Sequence, residues 1–127
     1  MSKLIMIDDD EIYHKISQLM VKEYSPVREV VSSTDAKATL HYLEENKENA
    51  ENLPDYIFVD LSMPEYDGWD FLNGYRQICD SFRKVVKVYI VSSSIDPQDI
   101  ERSKRYSFVD SFLIKPLRRD FLSKLIA

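Results

Sequence analysis

Short runs of apolar residues alternate along this chain with stretches of helical spacing, and that alternation narrows the possible folds more than any other feature. LIMI at 4–7, YIFV at 56–59, VYIV at 88–91 and FLI at 112–114 are apolar at every position, and Val30-Val31 forms a weaker run. A strand that is apolar on both faces belongs inside a parallel sheet with helices packed on each side. The intervening segments supply those helices. Ile12, Ile16, Leu19 and Met20 share one face of a first helix, whose next position on that face, Glu23, is polar. Leu40 and Leu43 mark a second, and Phe71, Leu72, Tyr75, Ile78, Cys79 and Phe82 a third. Asp96 followed by Pro97 reads as an N-cap with proline in the first turn, opening a fourth. Leu117, Phe121, Leu122 and Leu125 mark a short last one, and ENKENAENLP at 45–54 reads as a polar helix end and loop. Five strands alternating with five helices predict an α/β fold, a doubly wound five-stranded parallel sheet. A chain of 127 residues is one domain, 1–127, long enough for a sizeable core and too short for two.

Composition removes several functions. With a net charge of −5 and no basic cluster larger than Arg118-Arg119, nucleic acid is not an expected partner. Two glycines are too few for a dinucleotide or phosphate-binding glycine loop. No apolar run reaches membrane-spanning length and no signal-like segment opens the chain, so no membrane association is expected. A single cysteine, Cys79, excludes an intrachain disulfide and fits a cytoplasmic setting.

The residues that end the apolar runs carry the chemistry. The first run ends in Asp8-Asp9-Asp10, the YIFV run in Asp60, the VYIV run in Ser92-Ser93-Ser94 and the last in Lys115-Pro116. Ser32-Ser33, after the weak run, adds nothing distinctive. In a parallel α/β sheet the carboxyl ends of the strands share one edge, where ligands bind. Each residue has a plain structural reading: an aspartate capping a helix, serines in a loop, a solvated lysine. Together they bring carboxylates, a hydroxyl and an ammonium to one place. Asp60 directly after YIFV costs several kcal/mol unless a cation offsets its charge. Hard oxygen ligands with few protein contacts suit Mg²⁺, which keeps several waters. Lys115 beside such a metal would bind an anion, and a phosphoryl group fits both.

On these residues the chain resembles a response-regulator receiver domain over essentially its whole length. MIDDD at 6–10, VDLSMPEYDGWDFL at 59–72, VSSS at 91–94 and FLIKP at 112–116 carry the resemblance. They present, in order, an acidic pair, D-x-x-M-P-x-x-D-G, a hydroxyl residue and Lys-Pro. The resemblance implies a flavodoxin-like fold with strand order 2-1-3-4-5. It implies that Asp60 accepts a phosphoryl group from a sensor histidine kinase or a histidine phosphotransfer protein, and that the domain is a switch, not a conventional enzyme. Asp8, Asp9, Asp60 and the backbone carbonyl of Ser62 would hold Mg²⁺. Ser92 and Lys115 would stabilise the phosphoryl group, Phe112 would act as the switch residue, and Pro64, Gly68 and Pro116 would shape the site, Pro116 after a cis peptide bond. A downstream partner is implied but not identified, and the lack of a second domain leads us to expect a stand-alone unit.

Some residues depart from the family pattern. Phe112 stands where tyrosine is common, so packing alone must reward its inward rotamer. RYSFVDS, before the last strand, lacks the usual small pair, and the final helix is short. Asp8 and Asp10 also mimic the D-x-D of haloacid-dehalogenase phosphatases, although Ile12 and the later motifs fit that family poorly. A pseudo-receiver that only binds partners is a third reading, which the intact acidic site opposes. His14 and His41 are expected to be solvated. Trp69 reads as core or half-exposed packing, and Tyr106 and Phe108 as core or partner-facing.

Overall fold

The computed structural model describes residues 2–93 and 96–125. Its strands are β1 (Lys3–Ile7), β2 (Glu29–Ser33), β3 (Tyr56–Val59), β4 (Lys87–Ser92) and β5 (Val109–Ile114). Its helices are α1 (Glu11–Tyr24), α2 (Ala36–Glu45), α3 (Gly68–Ile78), α4 (Pro97–Ser103) and α5 (Arg119–Leu122). The strands form one parallel sheet in the order β2-β1-β3-β4-β5, as expected. Ser94, the last of the three serines, lies outside the described residues.

The apolar runs are continuous because the sheet is covered on both faces. Ile5, Ile7, Ile57, Val59, Val88 and Ile90 point to one side, where Leu43, Phe71, Leu72 and Tyr75 of α2 and α3 meet them. Their neighbours Leu4, Met6, Tyr56, Phe58, Tyr89 and Val91 point to the other, against Val21, Leu117 and Leu122. Each fully buried aliphatic or aromatic side chain contributes roughly 1.5–3 kcal/mol, so the central strands supply much of the driving force.

Aspartates start four of the five helices. Asp10, Asp35 and Asp96 each accept backbone N–H bonds at the first turn of α1, α2 and α4. Asp67 and Asp70 form a reciprocal capping box at the start of α3. Helix α5 is a single turn, in keeping with its short apolar pattern.

Helix α1 departs from its hydrophobic pattern. Its buried residues are His14, Ser17 and Val21. Ile12, Ile16 and Leu19 face outward, with 72%, 55% and 69% of their surfaces exposed. Tyr13, Met20 and Tyr24 flank that face and pack partly against the core, and the buried His14 ring finds hydrogen-bond partners. His14, expected to be solvated, is only 5% exposed, and this corrects the sequence reading. Its Nε2 lies 2.6 Å from the Asp8 carbonyl and 3.1 Å from the Ser33 carbonyl, which lowers the penalty of burying it. His41 is exposed, as expected. Trp69 and Tyr106 are both core residues with their rings in contact, and the Tyr106 hydroxyl donates to Asn73 Oδ1 at 2.8 Å.

Candidate functional site

Three strands deliver the site. Asp8 follows the last residue of β1, Asp60 follows β3, and Lys115 follows β5, so the parallel arrangement alone sets them on one edge. The Asp60 backbone N–H donates to the Ile7 carbonyl at 2.9 Å, which locks the ends of β1 and β3 side by side. Asp8, Asp9 and Asp60 each place a carboxylate oxygen within 4.8 Å of the others. Asp8 and Asp60 are buried while Asp9 is exposed, so the cluster is open on the Asp9 side. Clustered hard oxygens of this kind fit a divalent cation.

Lys115 is the counter-ion within the cluster. Its Nζ donates to Asp8 Oδ2 at 2.7 Å and lies 3.5 Å from Asp60 Oδ2. Burial opposes the lysine charge, but the bond to Asp8 and the field of both carboxylates outweigh it and raise its pKa. Asp60 is shifted upward, first by burial and then by the neighbouring Asp8 charge, with Lys115 offsetting only part of both. Such a carboxylate is held at a free-energy cost, and an additional cation relieves it.

The surrounding residues fix these groups. The Lys115 N–H donates to the Ser92 carbonyl at 2.9 Å, and the Lys115–Pro116 peptide is cis. Ser92 is buried at the end of β4. Phe112, two residues before Ile114, is paired with Ile90 and partly packed against the core. The Ser62 N–H approaches Asp60 Oδ1 at 3.4 Å. Pro64 is exposed in the loop beyond it, where Glu65 takes a φ of 64°. Gly68 opens α3 against that loop: a β-carbon there would stand 2.7 Å from Leu61 Cα, so only glycine lets the helix approach the Asp60 segment.

Asp10 is not part of the cluster. Its Oδ1 accepts from the N–H groups of Ile12 and Tyr13, as a helix cap does. The Asp10 carboxylate thus serves the helix start, while the Asp8 carboxylate joins those of Asp9 and Asp60. Sequence reasoning missed two neighbours of the site. The Tyr13 ring lies beneath Lys115, whose Nζ is 4.2 Å from its centroid. His14 holds the Asp8 carbonyl from below. The spacing of His14, Ser17 and Val21 along one helix face is the signal that pointed to this, but a hydrophobicity count favours the opposite face.

Comparison with known proteins agrees with the architecture. The chain belongs to the response regulator receiver domain family, whose family model matches residues 4–127. It is therefore a receiver domain of two-component signalling. It is similar to a two-component response regulator from Cytophaga hutchinsonii, with a TM-score of 0.84, 28% identity, and coverage of 94% of this chain and 89% of that one. The receiver domain of the histidine kinase CKI1 from Arabidopsis thaliana, solved with Mg²⁺, gives a TM-score of 0.76 at 26% identity, covering 90% of this chain and 83% of that one. Among curated proteins, the two-component response regulator ORR1 of Oryza sativa subsp. japonica is 25% identical over 126 residues, 98% of this chain and 53% of that protein. The chain thus spans about half the length of the curated relatives it matches first.

Proposed function

We propose that this domain is the phosphoacceptor of a two-component system or phosphorelay, and that Asp60 takes a phosphoryl group from a phosphohistidine. The observation that carries the reading is Asp60 itself: 6% exposed, within 4.8 Å of Asp8 and Asp9, and 3.5 Å from Lys115. In the transfer an Asp60 carboxylate oxygen attacks phosphorus, the P–N bond breaks, and its electron pair returns to the donor imidazole. A carboxylate is a weak nucleophile, so positioning and charge neutralisation carry the step. Asp8, Asp9, Asp60 and the Ser62 carbonyl would hold Mg²⁺, which supplies positive charge beside the phosphoryl oxygens. The Mg²⁺ complex of the CKI1 receiver domain supports that choice of ion.

Lys115 and the Ser92 hydroxyl donate hydrogen bonds to the phosphoryl group in this reading. Moving a two-state equilibrium from 1:99 to 99:1 takes about 5.5 kcal/mol of differential interaction. Bonds to a charged group are worth roughly 1.5–3 kcal/mol each, so both donors are needed and Ser92 alone falls short. Phe112 then turns into the space that Ser92 leaves and alters the face formed by α4, β5 and α5 for a downstream protein. The domain turns over no separate substrate in this role. A cytoplasmic setting is its natural place, since its donors act there.

The donor is a sensor histidine kinase or a histidine phosphotransfer protein. The outward face of α1 supports this partner. Ile12, Ile16 and Leu19 form an exposed apolar stripe whose N-terminal end borders the acidic cluster. A helical donor lying along that stripe brings its histidine to Asp60. The test of the central reading is labelling with acetyl phosphate and Mg²⁺, followed by mapping of the acyl phosphate. Wild type takes up label at Asp60; label that persists in Asp60→Asn, or that forms equally well with EDTA, overturns it.

A further inference from the structure

His14 occupies a position that the phosphoacceptor reading does not use. Its ring is buried at the junction of three segments: the end of β1, the end of β2 and the second turn of α1. Nε2 faces two carbonyl oxygens, those of Asp8 at 2.6 Å and Ser33 at 3.1 Å. Carbonyls only accept, so Nε2 carries the proton and donates to both. The Ser33 carbonyl also accepts from the Asp8 N–H at 3.0 Å. Among the described residues Nδ1 has no hydrogen-bond partner. The polar contacts of this ring are thus spent on the strand ends alone.

The Asp8 carbonyl belongs to the peptide that joins Asp8 to Asp9. Its direction sets how the two side chains diverge: Asp8 turned inward to Lys115, and Asp9 outward toward the opening. Asp8 is anchored at its N–H by Ser33, at Oδ2 by Lys115 and at Oδ1 by the Asp10 N–H at 2.9 Å. Among the described residues, the hydrogen bond from His14 is the restraint that acts on the 8–9 peptide plane. Groups that orient metal ligands without touching the metal commonly change affinity by 10–100-fold when removed.

We infer that His14 is a positioning residue for the divalent cation, clamping the peptide between Asp8 and Asp9 to the end of β2 so that both carboxylates meet one ion. The inference rests on the reading of Asp8 and Asp9 as the metal ligands. Three variants test it by Mg²⁺ titration of the unphosphorylated protein, with backbone amide NMR shifts of residues 8–10 as the readout. His14→Phe keeps the ring volume but loses the donor; His14→Gln keeps an N–H of similar reach; Val21→Ala weakens the same buried helix face away from the site. The expected result is that His14→Phe binds Mg²⁺ about tenfold more weakly. His14→Gln stays close to wild type, and Val21→Ala keeps wild-type affinity despite a lower melting temperature. Wild-type affinity in His14→Phe overturns the inference, as does a loss in Val21→Ala that matches that of His14→Phe. If wild type itself binds no Mg²⁺, the ligand assignment fails and takes the inference with it.

Discussion

Lys115 reaches across the sheet edge to Asp8, 107 residues away in the chain, and its Nζ sits 2.7 Å from Oδ2 while standing farther, at 3.5 Å, from Asp60 Oδ2. The lysine is therefore anchored on Asp8 and shared with Asp60. This arrangement lets a buried carboxylate pair exist before any metal or phosphoryl group arrives.

Removing that ammonium should expose the repulsion it offsets. Lys115→Met keeps most of the stem but loses the charge, and metal-free stability should fall by about 2 kcal/mol, the worth of a charged hydrogen bond. Added Mg²⁺ should then raise the melting temperature of the variant more than that of wild type. Equal gains in the two proteins, measured by calorimetry, would show that lysine and metal do not relieve the same repulsion.

Asp60 sets a pH dependence of opposite sense to that of most carboxylates. Burial and Asp8 push its folded-state pKa above the unfolded value. The folded protein then binds this proton more tightly, so stability from Asp60 is present below the unfolded pKa and lost as pH rises through the folded one. Asp60→Asn should melt above wild type at about pH 7 without metal, and the gap should close below about pH 4. A variant less stable than wild type at neutral pH contradicts the assignment of this strain.

The aspartate triplet divides its labour between metal and helix. Asp9→Ala should abolish most Mg²⁺ binding with little effect on stability. Asp10→Ala removes the acceptor for Ile12 and Tyr13 and should cost about 1 kcal/mol while leaving the metal bound. A metal titration and a urea melt on both variants decide the matter; reversed effects would exchange the two roles.

The outer face of α1 predicts a partner-specific defect. Ile16 is exposed, so Ile16→Glu should change stability by less than about 0.5 kcal/mol. Its labelling rate from a phosphorylated histidine donor that labels wild type should drop at least severalfold relative to its rate from acetyl phosphate. An unchanged ratio of the two rates would remove this stripe from the donor interface.

Much of the architecture is legible in the amino-acid sequence alone. The apolar runs of β1, β3 and β4 mark the buried centre of a parallel sheet because both of their faces are covered, while β2 and β5 at its edges are partly exposed and read more weakly. Asp96 before Pro97 marks a helix start because a carboxylate satisfies the free N–H groups there, whereas the same role of Asp35 and Asp67 was seen only in the structure. Once the strands are parallel, Asp8, Asp60, Ser92 and Lys115 must share one edge, since each follows or ends a strand on the same side. The rotation of α1 was decided only by tertiary structure. Hydrophobic spacing says that Ile12, Ile16 and Leu19 lie together; it does not say that they lie inward. The sheet accepts the face of His14, Ser17 and Val21 instead, because strand-end carbonyls satisfy the histidine. Those carbonyls belong to Asp8 and Ser33, 6 and 19 residues away. Local sequence periodicity cannot register partners brought together only by folding.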